Sequence, residues 1–135
     1  MAFFDASALI YLLEGKAPFV ERVRAALAAL IDEYPDMNSV LSRLSWLECR
    51  AGPMKTGDAA TLALYDAFFA RPDLVWVELS RDVVELATLL RVRHGLRTPD
   101  ALQGACCLQL GPDHVLLTGD PAFQRVQGLN VRVLS

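Results

Sequence analysis

Ala2-Phe3-Phe4-Asp5-Ala6-Ser7 runs directly into Ala8-Leu9-Ile10-Tyr11-Leu12-Leu13. The first half reads as a strand: a short apolar run that ends in a carboxylate, with a hydroxyl two residues on. The second half has helix-type sequence. Asp5 therefore sits where a buried strand stops and a helix starts. In open α/β sheets, ligands bind at the carboxyl ends of strands. Asp is also a good helix N-cap, so this stretch alone leaves two roles open for Asp5.

Reading outward, Gly15-Lys16-Ala17-Pro18 breaks the pattern, and Pro18 suits the first turn of a second helix. That helix carries Phe19, Val20, Val23, Leu27, Leu30 and Ile31 at helical spacing, and Tyr34-Pro35-Asp36 ends it. Met37 to Leu41 reads as a second strand. Ser42 caps a third helix, bearing Leu44, Trp46, Leu47 and Glu48, that is expected to stop near Ala51-Gly52-Pro53. Thr56 or Asp58 opens a fourth helix through Tyr65 and Phe69, and Leu74 to Val77 is a third strand. Ser80 and Asp82 open a long helix that ends at His94-Gly95, where Gly supplies a left-handed stop. Thr98-Pro99-Asp100-Ala101 combines a capping Thr, a Pro and an acid in one helix start, with the helix continuing to Leu110. His114 to Thr118 is a fourth strand. Gly119-Asp120-Pro121 turns into a short helix with Phe123, and Val131 to Leu134 is a closing strand. Strands separated by helices require crossover connections. The fold class is therefore α/β, with helices on both faces of a central, mostly parallel sheet of about five strands. The 135 residues show no repeat or linker, so a single domain over residues 1–135 is expected.

Composition narrows the functional classes. Apolar residues make up 53% of the chain, which argues against disorder and leaves a surplus for a partner surface. No apolar window reaches about 18 residues, and no secretory leader precedes Asp5, so no membrane association is expected. The net charge of −3 does not advertise a nucleic-acid binder. Lys16 and Lys55 are the only lysines, so arginine supplies nearly all the positive charge and suits bidentate phosphate contacts. Cys49, Cys106 and Cys107 form neither a disulfide framework nor a zinc spacing, and free thiols in a cytoplasmic protein are the expectation. Trp46 and Trp76 could stack on bases, but their apolar neighbours favour packing. His94 and His114 carry no motif.

Four acids stand apart from the solvated ones. Asp5 follows the first strand and Asp120 the fourth; Asp100 opens a helix; Glu48 lies within one, beside Trp46, Leu47 and Cys49. Each could serve a local role instead. Asp5 and Asp120 could cap helices, Asp100 could serve a helix dipole, and Glu48 could pair with Arg43 or Arg50. If the first and fourth strands are neighbours, Asp5 and Asp120 meet at one sheet edge and Asp100 can join them. Clustered carboxylates repel one another unless cations neutralise them. An oxygen-only set points to Mg²⁺ or Mn²⁺, which can activate water and stabilise a phosphodiester in in-line displacement. Ser7 and Thr118 are candidate supporting hydroxyls, and Arg97 is a candidate phosphate contact.

Asp5-Ala6-Ser7-Ala8-Leu9 resembles the opening of a PIN domain. Ser45-Trp46-Leu47-Glu48-Cys49 is similar to that family's second motif, a helical Glu. Thr98-Pro99-Asp100-Ala101-Leu102 before Gly104-Ala105 is similar to the third. Leu116-Leu117-Thr118-Gly119-Asp120-Pro121-Ala122-Phe123 is similar to the fourth. The motifs come in family order, and the length resembles that of VapC-type toxins. The segment before Glu48 is rich in Arg and Ser and departs from the family pattern. The resemblance implies a three-layer α/β/α sandwich and an Mg²⁺- or Mn²⁺-dependent endoribonuclease. Its substrate would be RNA, with tRNA and rRNA as candidates, its partner a VapB-type antitoxin, and its assembly a homodimer. It also implies that Asp5, Glu48, Asp100 and Asp120 are the metal-binding, catalytic acids, with Ser7 and Thr118 in support.

Rivals from other classes fit less well. A metal-dependent adhesion site of the von Willebrand A type wants a second Ser where Leu9 stands. A receiver domain wants a late lysine, and none follows Lys55. A non-catalytic metal- or partner-binding module with a PIN-like fold is the alternative.

Overall fold

A computed structural model describes residues 1–15 and 17–134. Lys16, in the expected break after the first helix, and the terminal Ser135 lie outside the described residues. The strands are β1 (Ala2–Phe4), β2 (Ser39–Ser42), β3 (Val75–Val77), β4 (Val115–Thr118) and β5 (Val131–Val133). The helices are α1 (Ala6–Leu13), α2 (Phe19–Glu33), α3 (Arg43–Thr56), α4 (Ala59–Phe69), α5 (Arg81–His94) and α6 (Thr98–Leu108), and a 3-10 turn covers Pro121–Arg125.

The sheet has the order β3-β2-β1-β4-β5, and all four pairings are parallel. The expected five-stranded parallel sheet is borne out, with every pairing parallel. The physical reason lies in the strand sequences: β1 and β4 are buried on both faces and read as unbroken apolar runs. Alternate residues serve opposite layers. Ala2, Phe4, Leu41 and Leu117 pack under α1 to α4. Phe3, Val40 and Leu116 pack under α5 and α6. Each fully buried Leu or Phe stabilises the sandwich by about 2 kcal/mol.

The strand order also locates the site. From β1 the chain builds one way to β2 and β3, then crosses to β4 and β5 on the other side. The order reverses between β1 and β4, and a crevice opens there beyond the carboxyl ends of the strands.

Local expectations needed several corrections. The first helix begins at Ala6, so Ser7 is helical and not part of the strand. The second strand lies slightly later than Met37–Leu41 and includes Ser42, which both ends β2 and caps α3. Helix α3 does not stop at Ala51-Gly52-Pro53 but runs through Pro53 to Thr56, ending at Gly57 with φ 71°. A proline lacks one backbone donor and crowds one preceding carbonyl; Pro53 stands close enough to the helix end that the last turn still forms. Helix α6 is preceded by Arg97 at the cap position, with Thr98 already helical and no side-chain cap. The Ala101 amide closes the first turn onto the Arg97 carbonyl at 2.8 Å. Its far end is Leu108, and Leu110 belongs to the turn that follows. By contrast, Asp58, Ser80 and Gly95 stand at the expected helix boundaries.

Candidate active site

The crevice at the β1–β4 switch point has a volume of about 380 Å³ and is lined by Asp5, Glu48, Asp100 and Asp120 together with Ser7 and Arg97. All four singled-out acids thus come to one place from four separate parts of the chain.

Asp5 is both cap and site. Its side chain is buried, and Oδ1 accepts from the Ala8 amide at 3.0 Å, as an N-cap does. The same oxygen accepts from the Ser7 hydroxyl at 2.7 Å, and Oδ2 accepts from the Thr118 hydroxyl at 2.5 Å. The two hydroxyls are themselves oriented by backbone. Ser7 Oγ accepts from the Gly119 amide at 2.9 Å, and Thr118 Oγ1 accepts from the Asp120 amide at 3.0 Å. Each hydroxyl therefore directs its proton at Asp5. The capping role and the cleft role that looked like alternatives coexist in one carboxylate.

Asp120 caps the 3-10 turn through Oδ1, which accepts from the Ala122 amide at 2.8 Å. Asp100 lies in the first turn of α6, with Arg97 Nη2 3.4 Å from its Oδ2 and 4.0 Å from Asp120 Oδ2. Arg97 is 79% exposed at this mouth, so its pairing with the acids is weak. It reaches Asp100 and Asp120 but not Asp5. Glu48 pairs with neither Arg43 nor Arg50, contrary to its local alternative: those guanidinia bind Glu78 and Asp66 and lie over Trp76 and Trp46. Glu48 Oε1 instead accepts from Gln103 Nε2 at 3.1 Å.

Gln103 is the residue that sequence reasoning missed. It is 2% exposed, its Oε1 accepts from Ser42 Oγ at 2.7 Å, and its Nε2 also donates to Ser45 Oγ at 2.9 Å. The available signal was its place three residues after Asp100, on the same helix face, among Ala101, Gly104 and Ala105. A long polar side chain in such small, apolar company needs a buried partner.

Burial is the first cause of every shift in this cluster, and neighbouring like charges add to it. Burial pushes the Asp5 carboxyl above its ordinary range, against the lowering pull of Thr118, Ser7 and Ala8, and Asp100 pushes it the same way. Burial likewise raises Glu48, with Gln103 opposing and Asp5 and Asp100 adding. Burial raises Asp100 too, with Arg97 opposing and Asp120 adding. Among the described residues, no three His, Cys, Asp or Glu side chains converge as a ready-made metal-ligand set. The donors are nonetheless all oxygen, and Mg²⁺ in particular is usually held by one or two carboxylates and keeps several waters. The donor chemistry fits such an ion.

Tyr11 also lines the crevice, stacked on Phe19 with ring centroids 4.3 Å apart. A Cβ on Gly119 would lie 2.7 Å from the Tyr11 ring. Gly119→Ala is therefore expected to destabilise the protein by about 1–3 kcal/mol. Urea unfolding should show this loss, and the loss should shrink in a Tyr11→Ala background. Equal losses in both backgrounds would mean that Tyr11 is not the obstacle.

His114, the two tryptophans and the cysteines are structural. His114 is buried at the amino end of the sheet, its Nδ1 against the Gly111 carbonyl and its Nε2 accepting from the Asn130 amide at 3.1 Å. Trp46 packs on Phe69 and Trp76. The three cysteines are buried free thiols. Among the described residues, no helix is long and apolar enough to cross a membrane.

The PIN domain profile matches residues 2–129. The chain belongs to the PIN-domain family. No curated protein sequence matches it. Solved structures of toxins and toxin–antitoxin complexes do. A toxin–antitoxin complex from Klebsiella pneumoniae is 24% identical, covering 100% of this chain and 98% of that one, at a TM-score of 0.73. VapBC2 from Rickettsia felis, bound to a DNA fragment from its promoter, is 14% identical over 99% and 98% of the two chains, at 0.77. VapC20 from Mycobacterium tuberculosis, a toxin that cleaves the sarcin–ricin loop, is 15% identical over 98% and 99%, at 0.74. At these identities the likeness is one of fold, and this PIN domain matches those chains from end to end.

Proposed function

We propose that this PIN domain is a metal-dependent endoribonuclease of the VapC type, the toxin of a toxin–antitoxin pair. One observation carries the reading: Asp5, Glu48, Asp100 and Asp120 line a single crevice at the switch point of the sheet. The toxin–antitoxin complexes of the same fold support the assignment of a VapB-type antitoxin partner.

Asp5, Glu48, Asp100 and Asp120 would hold Mg²⁺ or Mn²⁺. When bound, such an ion supplies an activated water and stabilises charge on a phosphodiester. Ser7 and Thr118 keep Asp5 oriented through their hydroxyl protons. Asp120 is fixed by its cap to Ala122 and presents its other oxygen to the crevice. Arg97 stands exposed at the mouth beside Asp100 and Asp120, where its guanidinium would be available to an RNA phosphate. Selectivity for tRNA or rRNA then rests on RNA shape and single-stranded loops, since the chain's net charge is −3. A homodimer and a reducing, cytoplasmic setting belong to the same reading; exposed Leu47 and Leu64 are available to a partner, and the thiols are free.

The test is cleavage of a total tRNA and ribosomal RNA pool by antitoxin-free protein. Discrete fragments are expected with Mg²⁺ or Mn²⁺ and none with EDTA. Fragments that persist unchanged in EDTA would overturn the metal-dependent reading.

A further inference from the structure

A buried amide ties two of the acid-bearing helices together. Gln103 lies on α6 one turn after Asp100, and its side chain crosses to α3, which carries Glu48. All three of its partners are on or beside α3: Ser42 at the cap, Ser45 in the first turn, and Glu48 one turn further. Ser42 and Ser45 are fully buried and Gln103 nearly so. Burying such a group costs free energy unless it is hydrogen-bonded, and no buried side-chain polar atom is left without a partner among the described residues.

The network also fixes which way the amide points. The Ser42 hydroxyl accepts from the Ser45 amide at 3.4 Å and directs its proton to Gln103 Oε1. The amide NH₂ must then face the other side, where Ser45 Oγ and Glu48 Oε1 wait. A flipped amide would set its oxygen against the Glu48 carboxylate. Glu48 Oε2 has no protein donor among the described residues, so one carboxylate oxygen is clamped and the other is left for the crevice.

We infer that Gln103 is a positioning residue for the nuclease site: it holds Glu48 in register with Asp100 so that both present oxygens to the same ion. The inference rests on the metal-dependent reading above. Gln103 touches neither RNA nor metal in this role, and it acts only through Glu48.

The experiment is Mn²⁺ titration calorimetry, a binding readout independent of turnover, on the full chain with melting temperatures recorded in parallel. Gln103→Met keeps an unbranched side chain of similar length and removes every hydrogen bond. It should weaken Mn²⁺ binding by about 10-fold or more, the usual cost of losing a group that orients a ligand. Glu48→Gln should weaken binding as well, and Gln103→Met should then cost nothing further in the Glu48→Gln background, because residues in one network are not additive. Ser42→Ala provides the milder case if Gln103→Met fails to fold. It frees the amide to flip, and its smaller loss should also vanish in the Glu48→Gln background. Wild-type affinity in folded Gln103→Met, or a full loss that persists in the Glu48→Gln background, would overturn the inference while leaving the nuclease reading intact. A wild-type protein that binds no Mn²⁺ would overturn the metal-dependent reading and this inference with it.

Discussion

Asp5→Asn is expected to lower RNA cleavage by about 100- to 1,000-fold, the cost of removing one preorganised electrostatic group from a site, while the protein stays folded. The geometry explains why the two effects separate. Asn keeps an oxygen for the Ser7 hydroxyl and the Ala8 amide, so the α1 cap survives. Its NH₂ faces Thr118 Oγ1, whose own proton no longer has a carboxylate to serve. What disappears is a buried negative charge with no cationic partner among the described residues. Because burial holds the Asp5 carboxyl above its ordinary range, its ionised form strains the metal-free protein at neutral pH. The melting temperature of Asp5→Asn in EDTA should therefore equal or exceed that of wild type. Cleavage by Asp5→Asn within a few-fold of wild type would place the chemistry elsewhere.

The second large effect is on stability. Asp5, Glu48 and Asp100 all have folded-state proton affinities above their ordinary values, with burial the first cause in each. A carboxyl raised in this way contributes its full stability below the unfolded range, near about pH 4, and loses it as pH rises through the folded value. Above that window the three charges repel, and a divalent cation offsets the repulsion. Exposed Asp58 and Asp73, held low by Thr61 and Arg71, tilt the total pH curve the opposite way. The useful quantity is thus the difference between Mn²⁺ and EDTA at each pH. At about 100 times its dissociation constant, a ligand adds about 2.7 kcal/mol, or roughly 10 °C in melting temperature for a domain of this size. That rise is expected at pH 7.5 and should be much smaller at pH 4.5, where protons compete for the same oxygens. An equal rise at both values would separate Mn²⁺ binding from these acids.

Much of this was legible in the sequence, for physical reasons. Strands buried on both faces read as unbroken apolar runs, so β1 and β4 and their parallel crossovers were visible. The acids that end those strands followed directly. Asp5 and Asp120 must lie at one sheet edge if their strands pair, and they do. The less legible parts depended on which distant side chains meet. Glu48 has Arg43 and Arg50 close in sequence, but helical geometry and Glu78 and Asp66 draw both away. Gln103 acquires its role only through partners 55 to 61 residues earlier, which no local pattern encodes. The end of α3 is hard to read locally, because Ala51-Gly52-Pro53 looks like a stop, yet Pro53 stands only three residues from the helix end and the last turn forms around it.

The hydrogen bond from Thr118 to Asp5 spans 113 positions of chain, and that distance has a meaning in time. A ribosome adds about 5–20 residues per second, so the first acid waits on the order of ten seconds for the strand that completes its surroundings. Until β4 emerges, β1 has no neighbour on that side, and Asp100 and Asp120 are not yet beside Asp5. On the proposed function, a nascent chain thus carries Asp5 well before the crevice that the nuclease reading needs. Products that terminate before β4 lack Thr118 and Asp120 and so never assemble that crevice.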